Sequence, residues 1–307
     1  MRLARIGAAV CIAAVLPSLA RAQAWTPPSG AGAVTFGVQV LENTGHRLTN
    51  GFIIPDGRSR NASVRVDVDY ALTDRVSVSA GVPLVFGRYI GPGAPPFGYL
   101  PVDECHCWQH GMQDLGLTAR YGVLRGATGV TASTSVQWPT HDYPYQGEAV
   151  VGRHLREWAF GVDAGRRLDG VWDRLIVQGN YSYAVVERVL SIPNNRSNAG
   201  LEGDVLVTPR TTIRGLVLWQ RTHGGLRAGS PPPADFEFPG DINTPERIAE
   251  HDRLLRDNYV HVGVGASYEA LRFDLFASLL FFATGTDTHT GRALTVGISL
   301  PFDRHGF

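Results

Sequence analysis

Lysine does not occur in this chain; all 28 of its Lys+Arg positions are arginine. The uniformity reads as a compositional trait of the genome, although a guanidinium also holds charge pairs in a confined space better than an ammonium does. Net charge is missing as well, 28 basic groups being balanced by 28 acidic ones. No bulk field therefore draws the protein to nucleic acid, and no nucleic-acid partner is expected. Past the N-terminus no stretch of about 18 apolar residues occurs, so no helix spans a membrane in the mature chain. Cysteine is scarce, three in 307 residues. One of them, Cys11, lies inside the N-terminal apolar run and not after it, where a lipid-bearing cysteine belongs. There is no glycine-rich phosphate loop and no His-Glu-Xaa-Xaa-His helix. His261 is the one histidine expected in mid-strand, and no serine or carboxylate motif stands beside it. No catalytic residue, no cofactor and no enzyme activity are expected.

Residues 1–24 have the form of a secretory signal. Arg2 and Arg5 make the positive end, residues 6–16 the apolar run, and Ala22-Gln23-Ala24 a small-residue cleavage site before Trp25. The mature part, 25–307, keeps Cys105 and Cys107, an even pair that suits an oxidising compartment.

Between Ser63 and Phe86, Val64, Val66, Val68 and Tyr70 alternate with Arg65, Asp67 and Asp69. Past Thr73-Asp74 the alternation resumes with Val76, Val78, Ala80, Val82 and Leu84. A period of two places these sets on opposite faces of a hairpin. A soluble sheet packs such an apolar face on a core, whereas a barrel in lipid turns it outward and keeps the polar face within.

Recurrence of the pattern favours the barrel. Strand-like segments are expected at 33–41, 63–72, 75–86, 114–124, 128–138, 157–168, 174–186, 201–207, 211–221, 258–269, 272–284 and 292–302. That is about twelve strands, an even number within the range of bacterial barrels. Their connections alternate short (near 73–74, 125–127, 169–173, 209 and 270) with long (43–62, 87–113, 139–156, 190–198 and 222–257). Short periplasmic turns and long outer loops are the habit of outer-membrane barrels. Aromatics gather at both strand ends: Phe86, Trp138, Tyr183, Trp219 and Phe281 on the long-loop side, Tyr70, Tyr121, Tyr268 and Phe302 on the other. Such rings prefer the two membrane interfaces. The expected fold is all-β, a closed antiparallel transmembrane β-barrel of about twelve strands in the outer membrane of a Gram-negative bacterium, contacting outer-membrane lipid.

Leu294, Val296, Ile298, Leu300 and Phe302 alternate without a break close to the end of the chain. This stretch resembles the C-terminal recognition strand of outer-membrane barrels, which implies the barrel-assembly machinery as a partner. The signal is read either from Phe302 or from Phe307. The segments YALTDRVSVSAGVPLVFG, QDLGLTARYGV and ASTSVQWPTHDY resemble the repeated turn-strand units of the outer-membrane family associated with phenol meta-pathway degradation. That resemblance implies passage of small, often aromatic or hydrophobic compounds.

The inward phase carries Arg65, Asp67, Asp69, Arg120, Asp163, Arg167, Glu202, Asp204, Arg214, Arg272 and Asp274. These line the lumen, either as a selectivity ladder for solute or as a self-paired network. In the second long loop Cys105, His106, Cys107 and His110 are candidate ligands for copper or zinc; a Cys105–Cys107 disulfide is the other reading. Eight of the ten histidines are expected in outer loops: His46, His106, His110, His141, His154, His223, His251 and His289. Thr244 as N-cap and Pro245 after it start a short helix in the fifth long loop, with Ile248 and Leu255 on one face. This is a lid or simply a folded loop. The functional expectation is a passive channel for a small-molecule solute, gated by the second and fifth long loops. The alternative is a membrane-anchored surface protein whose His/Cys-containing loops bind metal or a partner.

Overall fold

Residues that alternate between β-branched and polar satisfy both faces of a pleated strand, and the backbone adopts strands almost throughout. The computed structural model describes residues 24–54, 57–91, 103–168, 174–228 and 244–303. Along them run β1 (Gly32–Arg47), β2 (Ile53–Ile54), β3 (Arg58–Ala71), β4 (Val76–Ile90), β5 (Gln109–Met112), β6 (Asp114–Leu124) and β7 (Thr128–Pro139). β8 (Glu157–Arg167), β9 (Leu175–Val186), β10 (Asn194–Thr208) and β11 (Thr211–Gly224) follow. After two short helical turns come β12 (Asn258–Glu269), β13 (Asp274–Thr286) and β14 (Thr288–Phe302). Each long strand pairs antiparallel with its neighbour in sequence, and β14 pairs back onto β1, so the sheet closes. Without the short strands β2 and β5, which pair with β1 and β4 near the long-loop end, twelve strands form the wall.

The wall is inside out relative to a soluble sheet. Val64, Val66 and Val68 are 42%, 37% and 43% exposed. In register beside them stand Val38, Phe36 and Val34 of β1, then Val296, Ile298 and Leu300 of β14. The opposite face carries polar rungs, such as the Thr35 hydroxyl donating to Ser299 at 3.1 Å and the Gln39 amide donating to Thr295 at 3.0 Å. Trp138 and Phe281 face outward at the long-loop end, Tyr121 and Tyr268 at the other. Among the described residues no helix is long and apolar enough to cross a membrane.

Several strands run further toward the long-loop end than alternation indicates. β1 reaches Arg47, β4 reaches Ile90, β10 begins at Asn194 and β14 at Thr288. Past the apolar band both faces of a strand are polar, so the period-two signal fades while the hydrogen-bonded ladder continues. The β13–β14 connection consequently shrinks to Asp287, whose φ of 54° makes the tight turn. The fifth loop has Thr244 accepting from the Arg247 amide, as expected of an N-cap. The helix is nevertheless broken at Glu250 into α1 (Pro245–Ala249) and α2 (His251–Leu254), so Ile248 and Leu255 do not ride one continuous helical face. Pro231-Pro232-Pro233, the short turn at 169–173 and Phe307 lie outside the described residues.

Among the described residues a smaller apolar cluster, Leu41, Leu216, Leu280 and Ala293, lies on the interior face of the wall, and the largest lies at the long-loop end. Leu48, Leu155, Val186, Ile248, Leu254 and Leu255 pack together there, joining the loops after β1, β7 and β11 to the wall.

Candidate pore and the loop cluster above it

Arg120 (β6), Ser133 (β7), Asp163 (β8), Asn180 (β9), Arg196 (β10) and Gln220 (β11) share one cavity of about 160 Å³. Six consecutive strands of a closed sheet bring side chains to a common space only on the concave face. Strand parity then places Arg65, Asp67 and Asp69 of β3, Arg167 of β8, Glu202 and Asp204 of β10, Arg214 of β11 and Asp274 of β13 on the same interior face. Arg272 does not join them. It sits exposed in the turn before β13, because parity does not carry across a turn residue.

The interior charges meet one another. Arg65 donates to Asp67 at 2.7 Å, Arg120 lies 3.5 Å from Asp69, and Arg214 lies 3.5 Å from Asp204 and 3.7 Å from Glu202. Gln178 donates to Glu202 at 2.7 Å. Opposite charges in contact satisfy each other's hydrogen-bonding demand where water is limited.

The short-turn end is narrowed by residues 24–26. The Trp25 indole donates to the Gly126 carbonyl at 2.8 Å, and Thr131 on the inner wall donates to the Ala24 carbonyl at 3.0 Å. A Cβ at Gly129 or Gly165 would stand 2.8 or 2.7 Å from the indole, so both glycines make room for that ring.

At the long-loop end polar contacts lie beneath the apolar packing. Asp257 accepts from Arg153 at 2.9 Å, from Gln220 at 3.0 Å and from Thr288 at 2.6 Å, tying the third and fifth long loops to the wall. Arg196 donates to Glu157 on the neighbouring inner wall, and Tyr143 of the third loop donates to Asp114. The loop that enters the mouth alongside the fifth is thus the third, with Val150, Val151 and Leu155 fully buried. The second loop contributes Asp103, which accepts from the amides of Glu148 and Ala149 at 3.0 and 2.9 Å.

Cys105 and Cys107 are joined as a disulfide. Their thiolates are therefore not available as ligands with His106 and His110. His110 instead lies on β5 with its ring 6.2 Å from that of Phe86. Nearness in sequence had suggested convergence, but the strand at 109–112 carries His110 away along the wall.

A different set converges. Donor atoms of His46, Glu148, His251 and His289 all lie within 4.8 Å of one another. His46 and His289 belong to β1 and β14, not to loops, and face each other in the ladder. A β-bulge between Asn43 and Gly45 inserts one residue into β1. That shift turns His46 inward, where unbroken alternation would have sent it out with Val38 and Val40. His251 comes from α2 and Glu148 from the third loop. Burial opposes charge on both of these groups. Glu148 and Asp252 nevertheless push the His251 imidazole up to about 10, and the surrounding imidazoles hold the Glu148 carboxyl well below the usual carboxylate range. The sequence signal for this set was weak: loop histidines far apart, and an Asn-Thr-Gly at the bulge.

No family model matches the chain, and none of the curated proteins matches it. Among solved structures it is similar to an outer membrane channel from Pseudomonas putida F1, with a TM-score of 0.67 and 15% identity over 92% of this chain and 99% of that one. The NanC porin aligns with a TM-score of 0.48 and 7% identity over 87% and 98% of the two chains. The Pseudomonas putida toluene transporter TodX aligns with 0.45 and 11% over 90% of each. The first likeness bears on the fold; the other two are too distant to bear on anything further.

Proposed function

We propose that the chain is a Gram-negative outer-membrane channel that lets a small solute diffuse through a polar lumen. The observation that carries this is the inverted wall: exposed valine rows around the outside, and paired arginines and carboxylates facing an interior cavity. Hydrocarbon accepts the first and rejects the second, while a solute path needs the reverse. In this reading residues 1–24 are removed on export, which takes the Ala24 carbonyl from Thr131 and leaves Trp25 and Thr26 at the short-turn end; outer-membrane lipid covers the valine rows, and the assembly machinery reads the β14 strand. Arg65, Asp67, Asp69, Arg120, Asp163, Arg167, Glu202, Asp204, Arg214 and Asp274 line the path.

The role is transport without catalysis. Among the described residues one Ser–His contact occurs, Ser197 to His223 at 2.7 Å. It faces outward, and the buried Ser197 hydroxyl is shared with Tyr181 at 3.0 Å, which leaves a substrate no approach. Trp25 narrows one end and the packed loops the other, so passage in this reading involves a shift of the third and fifth loops.

Purified protein in planar bilayers should show discrete conductance steps, and proteoliposomes should swell in sugars or small aromatic acids faster than empty vesicles. Arg65→Gln with Arg120→Gln should change ion selectivity. Absence of both conductance and swelling sinks the channel reading.

A further inference from the structure

We propose that His46, Glu148, His251 and His289 form a binding site for one divalent transition-metal ion of the zinc class. Four donors drawn from β1, the third loop, α2 and β14 meet within 4.8 Å. The His46 and His289 rings are 4.3 Å apart, and His251 lies 6.0 and 6.1 Å from them. His251 Nε2 is 3.5 Å from Glu148 Oε1. Two ligands on one tetrahedral zinc ion, at bond lengths near 2.0–2.1 Å, stand about 3.4 Å apart. That pair already has the spacing of neighbours in a coordination shell.

An unused donor points inward. His46 and His251 are each 6% exposed; His46 Nδ1 is buried with no hydrogen-bond partner, and the neighbours of His251 Nε2 are the carboxylate oxygens of Glu148 and Asp252. A buried polar atom left unpaired is costly, and an ion between these rings satisfies it. The outer shell is in place as well. His251 Nδ1 lies 2.9 Å from the Ile248 carbonyl, so Nδ1–H donates there and Nε2, on giving up its proton to an incoming ion, turns its lone pair to the other ligands. Asp252 Oδ1 stands 3.2 Å from His251 Nε2 and 3.6 Å from His289 Nε2. With Glu148 it supplies two negative charges, matching a dication. The Glu148 backbone is pinned by Asp103, and His46 is aimed by the β1 bulge, so the ligands are positioned by contacts that need no ion.

Donor type selects the ion. Three imidazoles and one carboxylate suit zinc, copper or nickel, whereas calcium and magnesium take all-oxygen shells. His289 also borders a narrow cavity of about 30 Å³ with Asn43, Tyr259 and His261, on the interior side of the site. Once bound, the ion ties the third and fifth loops to the β1–β14 seam.

The test uses full-length protein without a polyhistidine tag, folded in detergent, stripped with EDTA and titrated with zinc chloride by calorimetry. One ion per chain should bind with a dissociation constant below about 1 μM. Cobalt(II) should give the visible absorption of a four-coordinate site, and zinc should slow proteolysis of the 140–156 segment. His251→Ala with His289→Ala should abolish binding. Glu148→Gln, which keeps the side chain's shape and so the fold, should weaken it at least tenfold, about the least expected of a lost ligand. Cys105→Ser with Cys107→Ser should leave it unchanged. No heat of binding at micromolar zinc, binding that survives both ligand variants, or binding lost with the cysteines would each overturn the proposal. The calorimetry needs no conductance, so this result and the channel reading stand or fall separately.

Discussion

Arg196 and Glu157 show what a single buried pair does in this wall. Both are nearly buried, and each is the other's direct partner. Arg196→Met leaves the nearly buried Glu157 carboxylate without its partner and should destabilise the folded barrel by roughly 3–5 kcal/mol. The double variant with Glu157→Met should recover most of that, both read from urea midpoints in detergent. Trp25 poses a different question, since its indole occupies space that the inner glycines leave open. Trp25→Ala should raise conductance in bilayers with little change in unfolding midpoint. Single residues were legible in the sequence wherever parity alone decides their direction, as for Arg65, Asp67, Asp69 and Arg120. Arg272 was misplaced because a turn interrupts parity. Of the two readings open for Cys105, His106, Cys107 and His110, the disulfide is the one formed; donors close in sequence need not converge, while His46 and His289 lie 243 positions apart and do.

Elements divide by whether lipid shapes them. Within the apolar band, β6 and β12 run from end to end as alternation indicates, Asp114–Leu124 and Asn258–Glu269. Above it, alternation carries no information, so the outer ends of β1, β10 and β14 could not be read, nor the one-residue turn at Asp287. The fifth loop illustrates the same limit. Its start at Thr244 is local capping chemistry and was legible, whereas the break at Glu250 follows from packing Ile248, Leu254 and Leu255 against other loops. Asp257 is the contact through which those loops hold the wall. Asp257→Ala should loosen them, giving faster proteolytic nicking between 140 and 156 and longer open times in single-channel records.

For the whole molecule, inversion of the wall is the property on which the proposed channel role rests. Val66→Arg places a guanidinium on the hydrocarbon face and should cost about 2–4 kcal/mol near the bilayer midplane, measured by reversible unfolding in lipid vesicles. The closed β1–β14 seam leaves no open sheet edge in lipid, which is why one chain suffices to make the wall.

The supernumerary residue in β1 near Thr44 has a reach greater than its size. Strand geometry assigns each successive side chain to one of two solvents, and one added peptide exchanges that assignment for everything beyond it. Delete a single codon there and the imidazole at position 46 is not lost but relocated, from the sheltered mouth to the headgroup layer. A membrane-impermeant imidazole reagent applied to intact cells would report the swap.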